Sequence, residues 1–248
     1  MKRIIITGGP TNEPIDEVMK ITNMSTGKLS VRLGELFLHA GYPVCLILNN
    51  SVNAEALSEA ENLEILRVET TDEMLGELER QSARGIKTGA VIHASAVGDY
   101  KSDFSFLLED MAEELFAKIS GIKSAGDILE IMENPDCRLD DSSKISSYQK
   151  NLTVKLGLTP KIIARLREWY PDSLLIGCKL LENVPKEELF SAARLLCEKN
   201  RMDYVLANDL AELREGKVAR YVVDSRGYTG VSLEKPEDIF KFTVEKLK

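Results

Sequence analysis

Four short stretches of this 248-residue chain carry residues whose types and spacing suit phosphate chemistry. Gly8 and Gly9 close an apolar, β-branched run that begins at Ile4, and Asn23, Ser25, Thr26 and Gly27 stand just before a strongly periodic helical segment. Ala96, Gly98, Asp99 and Tyr100 close a second apolar run, and Lys144 lies in the serine-rich SSKISSYQK. Glycine turns and helix starts present backbone N–H groups without partners, and these attract anions. Small residues from Ser95 to Gly98 would let a flat nucleobase lie against the backbone. A lysine on a loop above such a strand end would grip a triphosphate, and closure of the loop would exclude water. Each stretch also has an ordinary reading: Gly-Gly serves turn geometry, Ser, Thr and Asn cap helices, Asp is common where strands exit, and exposed lysines are usually solvated. No GxGxxG follows the first strand, so the dinucleotide fingerprint is missing.

The elements that position these residues alternate in type. The spacing predicts a helix from about 27 to 40, strands over 44–48 and 63–68, a helix capped by Thr71 or Asp72, and a buried strand over 90–94. From about 105 to 141 the pattern turns acidic and helical before the breaker-rich NPDCRLDDSS, which reads as an insertion or lid over the site, at about 101–150. The alternating run 151–158 is suited to pair with this lid as a hairpin. Thr159 and Pro160 are expected as N-cap and first residue of a helix carrying Ile162, Ile163, Leu166 and Trp169. A fifth strand over 174–177, a helix from Pro185, a sixth strand over 204–207 ending at Asn208-Asp209, a hairpin over 221–233 and a helix from Pro236 complete the chain. The expected fold is α/β: one Rossmann-like three-layer domain spanning 1–248 with a mainly parallel sheet, a C-terminal β-hairpin and the lid insertion. Ligands of such sheets bind at the carboxyl ends of the strands.

Composition narrows the function classes. With 44% hydrophobic residues the chain can bury a full core. A net charge of −8 argues against a nucleic-acid partner, whose phosphates need clustered Lys and Arg. No apolar run is long enough for a membrane span, and Met1-Lys2-Arg3 leads into a strand rather than a signal peptide, so a cytoplasmic protein is expected. The four cysteines, Cys45, Cys137, Cys178 and Cys197, lack metal or redox spacing and are expected as reduced thiols. His39 before a helix-ending glycine and His93 within a strand do not read as catalytic bases.

In chain order, ITGGPTNEPID, ITNMSTGK, SAVGDY, SSKISS, LTVKLGLTPKII and DYVLANDL resemble phosphopantothenoylcysteine synthetase, the CTP-dependent phosphopantothenate–cysteine ligase family, over nearly the whole chain and in its free-standing bacterial form. The resemblance implies a ligase of coenzyme A biosynthesis. In it the carboxylate of 4'-phosphopantothenate attacks the α-phosphate of CTP, pyrophosphate leaves, and the amine of L-cysteine displaces CMP from the acyl-cytidylate. It further implies that Asn23 holds the acyl carbonyl, with Ser25, Thr26 and Gly27 lining the same turn. Ala96, Gly98, Asp99 and Tyr100 would receive the cytidine nucleotide, Asp99 would hold the nucleotide or its Mg²⁺, Lys144 would contact the triphosphate, and Thr159 and Pro160 would pack near the base. A homodimer is implied as well.

Several positions depart from the family's pattern. Pro10 stands where a second glycine is common, Met19 where an arginine is, Ser146 and Ser147 where lysines are, and Thr159 and Lys161 where the turn is often Asn-Pro-Asp. Two other readings therefore stay open: a nucleotide-binding relative without turnover, and an NAD(P)H oxidoreductase on the same sheet.

Overall fold

The computed structural model describes residues 1–57 and 60–248. Its chain begins with β1 (Arg3–Gly8), β2 (Asn12–Pro14), β3 (Lys20–Thr22), α1 (Lys28–His39), β4 (Val44–Asn49) and β5 (Leu63–Val68). It continues through α2 (Thr71–Ala83), β6 (Thr88–His93), β7 (Tyr100–Leu107), α3 (Leu108–Ala117), α4 (Ala125–Glu133) and β8 (Leu152–Leu158). The last part holds α5 (Leu166–Trp169), β9 (Leu174–Leu181), α6 (Lys186–Asn200), β10 (Tyr204–Asp209), α7 (Leu210–Arg214), β11 (Arg220–Asp224), β12 (Gly227–Leu233) and α8 (Pro236–Lys246). Two compact units result: residues 1–11, 23–97 and 160–248, and residues 12–22 with 98–159.

The larger unit is an eight-stranded sheet in the order β12-β11-β10-β9-β6-β1-β4-β5, parallel from β10 to β5 and closed at the other edge by the antiparallel β11–β12 hairpin. Every residue of β1 and β4 is buried, as a parallel strand covered on both faces requires. Alternation sends Ile4 and Ile6 into a core with Leu33 and Phe37 of α1 and Ile239 of α8, and Ile5 into a second core with Met74 and Leu78 of α2 and Leu189 and Ala193 of α6. This is the expected α/β, Rossmann-like three-layer arrangement. The six parallel strands, counted in their own chain order, stand 3-2-1-4-5-6, so the direction of winding reverses between β1 and β6. At that reversal the two crossovers leave in opposite directions and open a crevice at the carboxyl ends.

The smaller unit pairs β7 with β8 antiparallel and β2 with β3 antiparallel. The expected pairing of 151–158 with the lid segment is present, from Leu107 opposite Leu152 to Tyr100 opposite Leu158. A bulge between Ser102 and Phe104 interrupts it, and Lys155 ion-pairs with Asp103 at 2.7 Å there. Phe104, Phe106 and Met111 form its small core with Leu115 and Cys137.

Two local expectations are corrected. Helix α2 is capped by Thr70, not by Thr71 or Asp72, because only Thr70 has the extended backbone that lets its hydroxyl accept from Glu73 N while Glu73 reaches back. Thr159 and Pro160 do not open a helix: a 3₁₀ turn at Ile162–Ala164 precedes the short α5, and the Thr159 hydroxyl donates to the Gly98 carbonyl instead. Asp209 ends β10, as expected, and in addition accepts from Ala211 N at 2.8 Å and caps the five-residue α7. Among the described residues no helix is long and apolar enough to cross a membrane.

Candidate active site

At the reversal point β1 and β6 stay paired beyond their last strand residues. Ala96 N donates to Gly9 O at 2.9 Å and Thr11 N donates to Ala96 O. This bridge opposes Pro10 to Ala96 but uses only the carbonyl before and the N–H after Pro10. Proline's missing donor is never called on, and a proline fits where a glycine is common. Gly8 is required by contact: a Cβ there would lie 2.5 Å from Ser30 Oγ and 2.9 Å from a Leu48 methyl. Ser30 in turn donates to Thr7 O at 2.8 Å and fixes α1 against the end of β1.

Helix α1 is entered through Gly27, whose φ of 68° is left-handed, with no side-chain cap. Ser25 and Thr26 therefore do not serve as the caps their types suggested. A Cβ on either Gly9 or Gly27 would lie within 2.6 Å of a Val52 methyl, so the two turns close on one apolar residue. The Asn23 side chain bridges both segments by donating from Nδ2 to Val97 O at 3.0 Å and to Ala96 O at 3.3 Å. Gly8, Gly9, Asn23, Gly27 and Ala96 are thus assembled at one strand end, as their spacing suggested.

Beneath them lies a network that sequence reasoning missed. Thr7 Oγ1 accepts from Ser95 N at 3.2 Å and sits 2.9 Å from His93 Nδ1. A hydroxyl can accept twice and donate once, so the direction of the Thr7–His93 bond follows the imidazole tautomer. Burial pushes His93 down to about 4, so the imidazole stays neutral near pH 7. Cys45 and Cys197 are pushed up to about 12 and Cys178 to about 11 by burial, and all four cysteines are free thiols.

The smaller unit carries the remaining predicted residues. Thr159 N donates to Asp99 O at 3.1 Å, so Gly98, Asp99 and Thr159 form one backbone junction, with Tyr100 half exposed after it. Pro160 follows in the chain and belongs to the larger unit. Lys144 is exposed and makes no hydrogen bond or ion pair with the described residues. Its loop is tied down at the next residue, where Ile145 N donates to Asp16 Oδ2 at 2.8 Å. The other oxygen, Oδ1, accepts from Met19 N and Val18 N, and these amides, Met19's first and then Ile145's, hold the Asp16 carboxyl below the usual range. Met19, standing where an arginine is common, is thereby used through its backbone. No group of three or more His, Cys, Asp or Glu among the described residues could hold a metal ion.

The model of the DNA/pantothenate metabolism flavoprotein C-terminal domain matches residues 1–136, more than half of the chain. The chain belongs to this family. The bifunctional coenzyme A biosynthesis protein CoaBC of Thermococcus kodakarensis is 34% identical over 209 residues, which are 84% of this chain and 41% of that protein. The chain spans about half the length, or less, of the curated relatives it matches first. Among solved structures, the DNA/pantothenate metabolism flavoprotein from Streptococcus pneumoniae superposes with a TM-score of 0.77 at 29% identity, over 100% of this chain and 98% of its own. A Cab2 mutant in complex with phosphopantothenate-cysteine shares the fold, with a TM-score of 0.66 at 16% identity over 99% of this chain and 86% of that one.

Proposed function

We propose that the chain is a phosphopantothenate–cysteine ligase that activates 4'-phosphopantothenate with CTP and couples the acyl-cytidylate to L-cysteine, releasing CMP and pyrophosphate. The observation that carries this reading is the Asn23 amide at the reversal point of a sheet whose first 136 residues match the pantothenate-metabolism family. A complex of a protein with the same fold and phosphopantothenate-cysteine supports the choice of substrates.

The chemistry asks for orientation and charge neutralisation more than for an acid or base. A free carboxylate is inert to amines because its leaving group would be oxide; joined to a cytidylyl group it gains a good one. In the first step a carboxylate oxygen bonds to the α-phosphorus as the bond to the β-phosphate oxygen breaks. In the second the cysteine nitrogen bonds to the acyl carbon, CMP departs, and the amine loses its proton. Asn23 is assigned to the acyl carbonyl. Asn23 Nδ2 donates to the carbonyls of Val97 and Ala96, and the 3.3 Å bond to Ala96 O is the weaker one to exchange for a substrate oxygen. Ser25, Thr26 and the amides after Gly27 are assigned to the pantothenate side, and Ala96, Gly98, Asp99, Tyr100, Thr159 and Pro160 to the nucleotide. Lys144 is assigned to the triphosphate, on a segment that acts as a lid. Mg²⁺ would arrive on the nucleotide with Asp99 as a protein ligand, which suits an ion bound by one carboxylate plus substrate phosphates. It would neutralise charge on the departing pyrophosphate. The active form is expected to be a homodimer.

The test is product formation. Purified protein with Mg²⁺, CTP, phosphopantothenate and cysteine is expected to yield phosphopantothenoylcysteine by mass spectrometry, and Lys144→Gln to slow the CTP step. CTP binding without any product would favour a non-enzymatic relative, and NADPH binding the oxidoreductase reading.

A further inference from the structure

Lys144 has no side-chain partner to orient it, and its surroundings offer little else. From Asp140 to Lys150 every residue is exposed or half-buried except Ile145, which is 8% exposed. That residue is also where the backbone is tied, by the 2.8 Å bond from Ile145 N to Asp16 Oδ2. Asp16 is itself buried, and its other oxygen closes the β2–β3 turn through Val18 N at 2.7 Å and Met19 N at 2.6 Å. The turn is further closed by Ile15 N on Met19 O at 2.9 Å. One carboxylate therefore joins two segments more than 120 positions apart, and the bond it makes lies one residue from the cation.

We infer that Asp16 is a positioning residue for nucleotide binding: by holding Ile145 N it fixes the backbone from which Lys144 reaches the triphosphate. This rests on the proposed role of Lys144. A carboxylate suits the task because it accepts at both oxygens at once. Asparagine has the same shape but one acceptor, and loses either the turn or the loop. The nearby Lys144 ammonium is the smallest of the influences that hold the Asp16 carboxyl below the usual range, after the Met19, Ile145 and Val18 amides. A simple turn-closing Asp would need only Oδ1, so the Oδ2 bond to a distant loop is what separates the two accounts.

The test is a double-mutant cycle on CTP affinity, measured by calorimetry with Mg²⁺ on the full chain, together with hydrogen exchange of the Ile145 amide. Asp16→Asn is expected to speed Ile145 exchange and raise the CTP Kd about tenfold, which corresponds to about 1.4 kcal/mol. In a Lys144→Ala background the same change should raise Kd less than about twofold, since the two residues act as one unit. Equal losses in both backgrounds, or unchanged affinity in Asp16→Asn, would overturn the inference. Should Lys144→Ala alone leave CTP affinity intact while Ile145 exchange still depends on Asp16, the tie is real but the role given to Lys144 fails, and the positioning role fails with it. If Asp16→Asn unfolds the hairpin, Ile145→Pro serves instead, because it removes the N–H and leaves Asp16 closing its turn: it should raise the CTP Kd severalfold, and an unchanged affinity overturns the inference.

Discussion

The strand-end site of the larger unit and the loop site of the smaller one are held by opposite means. Around Gly8, Asn23 and Ala96 the geometry is fixed by backbone pairing and by glycines that admit Ser30 and Val52 at close range. In residues 98–159 the long connections are pinned by single carboxylates: Asp16 at Ile145, and Glu114, which accepts from Asp136 N at 2.9 Å and Cys137 N at 3.0 Å and pairs with Lys118. Backbone-held geometry tolerates side-chain change but no added volume. Carboxylate-held geometry tolerates volume and fails with one charge.

The comparison breaks most visibly at Asn23. Asn23→Asp replaces a donor with an oxygen facing the carbonyls of Ala96 and Val97, and the cysteine step is expected to slow about 100-fold or more, as when a preorganised donor is lost. Single-turnover release of CMP measures this, and an unchanged rate removes Asn23 from the site. Next in size is Gly8→Ala, which forces a methyl onto Ser30 and Leu48 and should cost about 2–3 kcal/mol in urea melts. Thr7→Val leaves Ser95 N and His93 Nδ1 without their partner, at about 1–2 kcal/mol in the same assay.

The smallest effect is confined to the smaller unit. Glu114 is held down from 4.5 to about 2, by Lys118 first and then by the Asp136 and Cys137 amides. A folded value below the unfolded one means that its contribution is complete above about pH 4.5 and vanishes as pH falls through 2. Protection of the Asp136 and Cys137 amides, taken relative to their intrinsic exchange at each pH, should therefore fall across that interval, and Glu114→Gln should remove that fall.

The same contrast explains what could be read from the residues alone. The parallel sheet, its β-branched strands and the glycine turns were legible, because burial on both faces and tight turns dictate residue types directly. Of the six ordered blocks that carry the family resemblance, the first three lie within residues 1–136, which the family model matches. The β2–β3 hairpin was not legible: Asn12–Pro14 and Lys20–Thr22 are too short to show alternation, and a side chain closes them. Strand β7 was read as a strand exit and the start of an acidic insertion, because its pairing with β8 lies some fifty residues away. Asp16 belonged to an unremarked acidic loop; its aptitude for turns was the available signal. Thr70 was missed as the cap of α2, and the capping role of the strand-ending Asp209 went unread, because a cap is set by backbone angles that composition does not carry.

The account stands on an acid made reactive by a cytidylyl group, and that half-reaction can be isolated. Protein mixed with Mg²⁺, CTP and phosphopantothenate, with cysteine withheld, should release about one pyrophosphate per active site in a burst and then stop, because the acyl-cytidylate stays in the site until an amine attacks it. No pyrophosphate, or release that ignores phosphopantothenate, would contradict it.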